Sequence, residues 1–232
     1  MSVVALLLAA GRGRRLGRGV PKAFVSLAGR PVVAHALEAL LAVPEIDLVL
    51  PVLGSGELAQ WPQVIGANCP NPRIGAPVAG GAERQDSVRA GMQALPPGAE
   101  IVAVHDAARA LVRPESVARV VAAARAHGAA ILAAPARDTI KRVDGDRIAA
   151  TPPRSECWAA QTPQVFRVDL LREGLAKALA ENFLGTDDAE LVERLGVPVR
   201  VVEGDSDNLK LTHAQDLVLA EHLLAERAKA AT

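Results

Sequence analysis

The 232-residue chain has only two cysteines, Cys69 and Cys157, and they lie far apart without the short spacing of a metal-binding pair. Structural zinc sites use clustered thiolates, and disulfide frameworks use several cysteine pairs, so the sequence disfavours both. Two unpaired thiols are typical of a reducing compartment. We therefore expect a cytoplasmic protein.

The chain also lacks an excess of charge and a long apolar run. Its 26 basic and 26 acidic side chains cancel, so the overall balance does not indicate binding to nucleic acid or to an acidic membrane. No apolar stretch is long enough to span a bilayer. The apolar N-terminus has no basic segment before it and leads directly into charged residues, which predicts a first strand and not a signal peptide. We expect neither nucleic acid nor a membrane as a partner.

Half of the residues are apolar, which is typical of a globular chain with a full core. We find no internal repeat and no low-complexity tract. Short apolar runs alternate with helical patterns, and this alternation predicts βαβ units with a mostly parallel sheet flanked by helices. The predicted strands are Val3–Leu8, Leu48–Val52, Ile101–Val104, Ala129–Ala134 and Val199–Val202. The predicted helices are Val32–Leu41, Arg84–Leu95, Pro114–His127, Val168–Ala180, Asp187–Leu195 and Ala214–Arg227.

The stretch 138–158 interrupts this alternation. Residues Thr139–Val143 and Arg147–Ala150 have strand-like patterns around an Asp144-Gly145 turn, which predicts a β-hairpin. A protruding hairpin has edges to cover, and pairing with a partner subunit is one way to cover them. Residues 62–77, rich in proline and glycine, are predicted to be an irregular connection.

The loop after the first strand, residues 9–22, combines glycine with arginine and lysine. Gly11 and Gly13 let the backbone approach a ligand, and the basic side chains supply charge for phosphate oxygens. The loop therefore predicts a polyphosphate site at the carboxyl end of a strand. A dinucleotide-binding motif is disfavoured because Leu16 stands at its third glycine and no acidic residue closes a second strand about 20 residues on. The alternative is a glycine turn with solvated arginines.

Three later segments carry further candidate groups. Asp106 ends another apolar run and should face the predicted polyphosphate site. It is either a Mg²⁺ ligand or the ion-pair partner of Arg109. Residues 80–87 are either an anion-binding helix start or an ordinary one, and the ordinary one is favoured without context. Residues 207–212 offer a second carboxylate and a second lysine, or a turn that caps the next helix.

Together these segments resemble the 2-C-methyl-D-erythritol 4-phosphate cytidylyltransferases of the non-mevalonate isoprenoid pathway. Many sugar nucleotidyltransferases share the first motif, whereas the later ones are more specific. Two departures are Ala110, where the family usually has proline, and Leu209, where it usually has isoleucine. The matching motifs are Ala9-Ala10-Gly11-x-Gly13-x-Arg15-Leu16, Pro21-Lys22, residues 80–88, residues 104–109, residues 138–141, residues 158–164, residues 186–189 and residues 208–212.

The resemblance implies a Rossmann-like nucleotidyltransferase fold, with residues 1–232 as a single domain and 138–158 as a dimerisation arm. It implies that CTP and methylerythritol 4-phosphate react to 4-diphosphocytidyl-2-C-methyl-D-erythritol and pyrophosphate, without a covalent enzyme intermediate. Mg²⁺, or another divalent cation, is the implied cofactor, and a homodimer is the implied assembly.

The same resemblance assigns roles to individual residues. Arg15 and Lys22 are the implied catalytic residues, which stabilise charge in the transition state. Asp106 and Asp207 are the implied metal ligands. The implied nucleotide-binding residues are Ala9, Ala10, Gly11, Gly13, Gly81, Ser87 and Lys210. The implied residues for methylerythritol phosphate are Asp106, Arg109, Thr139, Arg154 and Thr162, of which those on the arm would serve the neighbouring subunit.

Two alternative functions remain open at this point. A ribitol 5-phosphate cytidylyltransferase would run the same chemistry on a different polyol phosphate, although residues 82–84 and Ala107-Ala108 disfavour it. A non-catalytic nucleotide-binding protein of this fold is the second alternative. A degenerate site would be expected to lack some of the charged candidate residues, whereas this sequence has all five, Arg15, Lys22, Asp106, Asp207 and Lys210.

Overall fold

A computed structural model describes residues 1–11 and 21–230 of the chain. Within these residues the strands, in chain order, are β1 (Ser2–Leu8), β2 (Ser26–Leu27), β3 (Arg30–Pro31), β4 (Leu48–Leu53), β5 (Val78–Ala79), β6 (Ala99–Asp106), β7 (Ala129–Pro135), β8 (Arg142–Asp144), β9 (Arg147–Ala150), β10 (Trp158–Arg167) and β11 (Arg200–Glu203). The helices are α1 (Val32–Leu41), α2 (Trp61–Asn68), α3 (Arg84–Gln93), α4 (Pro114–His127), α5 (Val168–Ala180), α6 (Asp188–Glu193) and α7 (Ala214–Ala230). Short 3-10 turns cover Lys22–Phe24, Leu58–Gln60 and Arg154–Glu156.

The central sheet has the strand order β11-β7-β10-β6-β1-β4-β5. All neighbouring strands run parallel except at β10, which is antiparallel to both β6 and β7. In the register of β1 with β6, Leu8 lies opposite Asp106. The loop that follows β1 therefore starts beside the end of β6, and the two motifs share one edge of the sheet.

Both faces of the sheet are covered, which explains the continuous apolar run of β1. Val3, Ala5 and Leu7 join the core that contains α1 and α4. The alternate residues of β1, Val4 and Leu6, join the core that contains α3, α5 and α6. A strand buried on both sides needs apolar residues at every position, since successive side chains point to opposite faces.

A third, smaller apolar cluster packs the C-terminal helix α7 against the first hairpin of the chain. Leu217 and Ala220 of α7 belong to this cluster together with Leu27 and Leu111, and all four are buried. No helix in the described part of the chain has the length and apolar character that crossing a bilayer requires.

The α/β architecture with a mostly parallel sheet and an added hairpin is confirmed. Helices α1, α4 and α5 have the predicted bounds. The hairpin forms from β8 and β9 as a separate two-stranded sheet, and residues 137–149 are all exposed. Its first strand begins at Arg142 instead of Thr139, and Asp144 belongs to the strand and not to the turn.

The sequence patterns do not predict the two-residue strands β2, β3 and β5, nor two longer elements, α2 and β10. The prediction of an irregular connection from residue 62 is wrong at its start, where α2 spans Trp61–Asn68 with a proline in the first turn, a position that needs no N–H donor. Strand β10 was missed because it carries buried polar residues at Gln161, Thr162 and Gln164. Their hydrogen bonds depend on partners elsewhere in the chain, so the segment lacks an apolar signature.

Candidate active site

A cavity of about 230 Å³ lies at the carboxyl ends of β1 and β6. Seven of the predicted site residues line it together with Arg84. They are Ala9, Ala10, Gly11, Lys22, Ser87, Asp106 and Lys210. Side chains from four separate stretches of sequence thus converge on the one edge where open α/β sheets bind ligands.

The backbone around this cavity is held by the sheet and by the start of α3. Ala9 donates its N–H to Val52, which extends β1 by one residue beside β4. Gly81 N–H donates to Ser87 Oγ at 3.2 Å, and Ser87 Oγ donates in turn to the carbonyl of Glu83. A Cβ at Gly80 would lie 2.7 Å from Ser87 Oγ and 2.8 Å from the Ala10 Cβ. Glycine at position 80 therefore allows the second motif to approach the first.

Asp106 is the acidic centre of the cavity. Its Oδ1 accepts from Arg84 Nε at 3.1 Å, and its Oδ2 lies 2.6 Å from Lys210 Nζ. Burial would raise the pKa of this carboxyl, but the charges of Arg84 and Lys210 outweigh that effect and hold the pKa well below its usual range. Asp106 is therefore ionised at neutral pH.

Arg84 connects Asp106 to a second buried carboxylate. Its Nη2 donates to Asp188 Oδ2 at 2.8 Å, and the side chain of Asp188 is only 1 % exposed. Burial lowers the pKa of Arg84, yet the two carboxylates more than offset this and raise it above its ordinary value. For Asp188 burial raises the pKa, and the charge of Arg84 opposes the increase.

Thr162 and His105 support Asp106 from inside the sheet. The Asp106 N–H donates to Thr162 Oγ1 at 3.0 Å, and the same oxygen lies 3.1 Å from His105 Nδ1. His105 is fully buried, and burial lowers its pKa to about 4. A neutral imidazole in this position packs beneath the site and adds no charge to it.

Several predicted residues lie away from this cavity. Arg109 donates to the carbonyls of Asn208 and Ala160 at 2.7 and 3.0 Å, and it lines a second cavity of about 280 Å³. Burial lowers its pKa. Thr139 lies in the exposed segment before β8, and Arg154 lies in the turn after β9, where it donates to the carbonyl of Arg137.

Asp207 belongs to a different ion-pair cluster. Its Oδ2 accepts from Arg113 at 3.0 Å and from Arg227 at 2.8 Å, and it lines a third cavity with these arginines. Burial would raise the pKa of Asp207, and the two arginines lower it. The structure therefore brings Asp106, Lys22 and Lys210 together at the first cavity but gives Asp207 other partners.

Gly13 and Arg15 lie outside the described residues. Conversely, two charged residues were not predicted as site residues: Arg84, which lines the cavity, and Asp188, which pairs with Arg84 from behind. Both lie in motifs that match the family, Arg84 in residues 80–88 and Asp188 in residues 186–189, and Asp188 also belongs to a predicted helix start. The motif signal was present, but spacing along the chain gives no indication that these two residues pair.

The described residues contain no group of three or more His, Cys, Asp and Glu side chains that could hold a metal ion. Asp106 is nevertheless a hard oxygen donor beside cations that suit phosphate groups. One carboxylate together with substrate phosphate oxygens is a donor set that Mg²⁺ accepts, since this ion keeps several non-protein ligands. The site fits a metal that arrives with a nucleotide, and it does not contain a preformed protein cage.

The fold and this cavity define an α/β protein of the nucleotidyltransferase class, in which cations and a carboxylate face the carboxyl edge of a mostly parallel sheet. The family model described as IspD, 2-C-methyl-D-erythritol 4-phosphate cytidylyltransferase, matches residues 3–226. The chain belongs to this family.

Similar proteins agree with this assignment over nearly the whole length. A 2-C-methyl-D-erythritol 4-phosphate cytidylyltransferase of Symbiobacterium thermophilum is 46% identical, and the match covers 98% of this chain and 94% of the relative. The same enzyme of Geobacillus kaustophilus is 42% identical, with 98% and 99% covered.

Solved structures of the family share the fold. The crystal structure of 4-diphosphocytidyl-2C-methyl-D-erythritol synthase from Anaerococcus prevotii has a TM-score of 0.87 and 30% identity, and 97% of this chain and 96% of that chain are covered. The 2-C-methyl-D-erythritol 4-phosphate cytidylyltransferase from Thermus thermophilus has a TM-score of 0.76 and 37% identity, with 96% and 98% covered.

Proposed function

We propose that this protein is a cytidylyltransferase that converts CTP and 2-C-methyl-D-erythritol 4-phosphate into 4-diphosphocytidyl-2-C-methyl-D-erythritol and pyrophosphate. The family assignment supports this reaction. The observation that carries it is the convergence of Lys22, Asp106 and Lys210 on one cavity at the carboxyl edge of the sheet.

In the proposed reaction, a phosphate oxygen of methylerythritol phosphate attacks the α-phosphorus of CTP. The new P–O bond forms as the bond to the pyrophosphate leaving group breaks, and that group takes the electron pair. Two anions must approach each other, so the protein acts mainly by positioning them and by neutralising charge. In our proposal Lys22 and Arg15 stabilise the transition state, and Lys210 contacts the triphosphate.

We assign nucleotide binding to the backbone of Ala9, Ala10, Gly11, Gly13 and Gly81, with Ser87 at the start of α3. Ser87 and the first three residues line the cavity. The N–H of Gly81 donates a hydrogen bond to Ser87 Oγ, which places Gly81 next to this lining residue. Backbone carbonyls can select cytosine over uracil by accepting from its amino group, so this selection needs no dedicated side chain.

We propose that Asp106 holds Mg²⁺, or another divalent cation, together with phosphate oxygens of CTP. When bound, the cation would partly neutralise the negative charge of those oxygens. Asp207 is the second predicted ligand, and its carboxylate already accepts from Arg113 and Arg227. Both arginines contact Oδ2, whereas Oδ1 is buried without a hydrogen-bond partner among the described residues.

We further propose that residues 1–232 form one nucleotidyltransferase domain and that the arm, residues 138–158, pairs two copies of the chain. Exposed apolar side chains support this proposal, since Val143 and Ile148 on the hairpin are 61% and 63% exposed and Trp158 is 41% exposed. Such side chains are suited to burial against a second subunit.

Methylerythritol phosphate is proposed to bind where the arm of one subunit reaches the cavity of the other. Asp106, Arg109 and Thr162 would come from one subunit and Thr139 and Arg154 from its neighbour. The hydroxyl of Thr162 already bonds to the Asp106 N–H, so its contribution includes holding Asp106 in place.

For location we propose the cytoplasm. Cys69 and Cys157 are not joined in a disulfide, which is consistent with a reducing compartment.

The test of function is an assay of pyrophosphate release with CTP and Mg²⁺, in which methylerythritol 4-phosphate and ribitol 5-phosphate are compared at equal concentration. We expect release with the former and little with the latter. Release only with ribitol phosphate would support the ribitol enzyme. No release with either substrate, from protein that is folded by circular dichroism, would support a non-catalytic nucleotide-binding protein.

Subunit sharing is tested by mixing two inactive variants, Arg154→Ala in the arm and Lys22→Ala in the cavity. If the arm serves the neighbouring site, a mixed dimer has one complete site, and equal mixing should restore roughly a quarter of wild-type activity. Exchange is verified with differently tagged subunits. No recovery after verified exchange would show that each subunit uses its own arm or none.

A further inference from the structure

Asp188 is a fully buried carboxylate that no step of the proposed reaction uses. It lies in the first turn of α6, and its side chain is 1 % exposed. Its contact with Arg84 points toward the cavity, because Arg84 Nη2 donates to Asp188 while Arg84 Nε donates to Asp106. A single guanidinium group thus joins the acidic centre of the site to a carboxylate behind it.

Both ends of this Asp188–Arg84–Asp106 chain are attached to β10. At one end Thr162 Oγ1 accepts from the Asp106 N–H at 3.0 Å. At the other, Gln164 Oε1 accepts from the N–H groups of Asp188 and Ala189, each at 3.0 Å. Gln164 is buried, and its amide nitrogen donates to Asp187 at 2.8 Å, so the start of α6 is fastened to the sheet.

We propose that Asp188 is a positioning residue for the cytidylyl transfer: it holds the Arg84 guanidinium in the orientation that aims the Asp106 carboxylate into the cavity. The proposal rests on the proposed function, because the orientation of the Asp106 carboxylate matters for turnover only if the cavity carries out that reaction. Asp188 itself touches no reacting atom and acts through Arg84.

The shape of the guanidinium supports this role. It is planar and rigid, so two carboxylates at different nitrogen atoms fix its rotation as well as its place. With one carboxylate alone, the group could turn about the remaining contact. Asp106 Oδ1 would then lose its fixed partner, and only Lys210 on the other oxygen would hold the carboxylate.

The charges of the cluster support the same role. Two carboxylates, Asp106 and Asp188, face two cations, Arg84 and Lys210, so the acidic and basic side chains of the cluster are matched in number. A triphosphate in the cavity attracts Arg84 by charge. Asp188 opposes that attraction from behind, and Arg84 consequently stays on Asp106 and is not drawn onto the phosphates.

The kinetic test compares Asp188→Asn with Asp187→Asn. Asp187 adjoins Asp188, and its Oδ1 caps the same helix through Glu190 N–H while its Oδ2 accepts from Gln164. Asparagine can keep the cap but loses the bond from Gln164, so this variant disturbs the start of α6 while the ion pairs of Arg84 with Asp106 and Asp188 stay available. We expect Asp188→Asn to lower kcat about 10- to 100-fold, as is typical when a residue behind a functional group is changed. The KM for CTP should change little, and Asp187→Asn should retain near wild-type kcat.

A coupling test uses Arg84→Lys, which keeps the positive charge but loses the planar guanidinium that contacts two carboxylates at once. If Asp188 acts through Arg84, the double variant Asp188→Asn/Arg84→Lys should be no slower than the slower single variant. Losses that multiply would overturn the proposal, because they would mean independent roles. Equal losses in the Asp187 and Asp188 variants would also overturn it, since they would indicate a role in the fold of α6 alone.

A measurement without substrate separates this proposal from the proposed function. The arginine Nε–Hε signals of ¹⁵N-labelled protein are recorded by NMR, and the signal of Arg84 is assigned by its loss in Arg84→Lys. We expect slow hydrogen exchange of this signal in the wild type and in Asp187→Asn, and faster exchange in Asp188→Asn. Unchanged exchange in Asp188→Asn would overturn the positioning role, whereas a wild type without pyrophosphate release would overturn only the function.

Discussion

Two carboxylates at the same edge of the sheet, Asp106 and Asp207, have nearly the same local chemistry. Each accepts from two cationic side chains, each is mostly buried, and each has a lowered pKa. They differ in what surrounds them. Asp106 faces the cavity that Lys22 lines, whereas Asp207 joins the start of α4, through Arg113, to the C-terminal helix α7, through Arg227.

The difference shows that a carboxylate between two cations is not by itself a sign of a metal site. The partners of Asp106 come from a helix start and a loop that both border the cavity. The partners of Asp207 hold helices against the sheet, and the loop that carries Asp207 also delivers Lys210 to Asp106 three residues later.

The largest expected difference in kcat is between a variant that removes a cation beside Asp106 and one that removes a cation beside Asp207. Lys22→Ala should lower kcat about 100- to 1,000-fold, the usual loss when one preorganised group that stabilises transition-state charge is removed. The Kd for CTP, measured by calorimetry, should rise far less. Arg227→Ala, at the other cluster, should leave kcat within about threefold of wild type.

Equal losses of binding and no loss of turnover in Lys22→Ala would make this lysine a simple phosphate anchor. A large loss of kcat in Arg227→Ala would break the contrast between the clusters, because it would place the second cluster in the reaction.

A smaller and more specific effect concerns the metal. Asp106→Asn should raise the Mg²⁺ concentration needed for half-maximal pyrophosphate release by about 10-fold or more, since a neutral amide replaces the carboxylate that we propose as the metal ligand. Asp207→Asn should leave this requirement unchanged and instead lower the free energy of unfolding by about 1–2 kcal/mol, because two arginines lose their shared partner.

The two readouts are a Mg²⁺ titration of the initial rate and urea unfolding of the same protein samples. A shift of the Mg²⁺ requirement in Asp207→Asn that matches the shift in Asp106→Asn would restore Asp207 as the second metal ligand predicted from sequence.

The sequence alone determined most of the architecture and one side of the site. The apolar runs of β1, β4 and β6 and the helical patterns of α1, α4 and α5 are local signals, because burial on two faces or on one stripe leaves a period in the chain. Glycine and basic residues follow β1, and Asp106 ends β6, so the rule that ligands bind at the carboxyl ends of parallel strands predicts both as parts of the site.

Only the tertiary structure decided how the charges pair. Arg84 and Asp188 are 104 residues apart, and Arg113 and Asp207 are 94 apart, so no spacing in the sequence connects them. Strand β10 was equally hidden, because its buried polar side chains are satisfied by distant partners. Burial of apolar side chains produces a local period in the sequence, whereas the partner of a charged side chain is whichever group the topology brings within hydrogen-bonding distance.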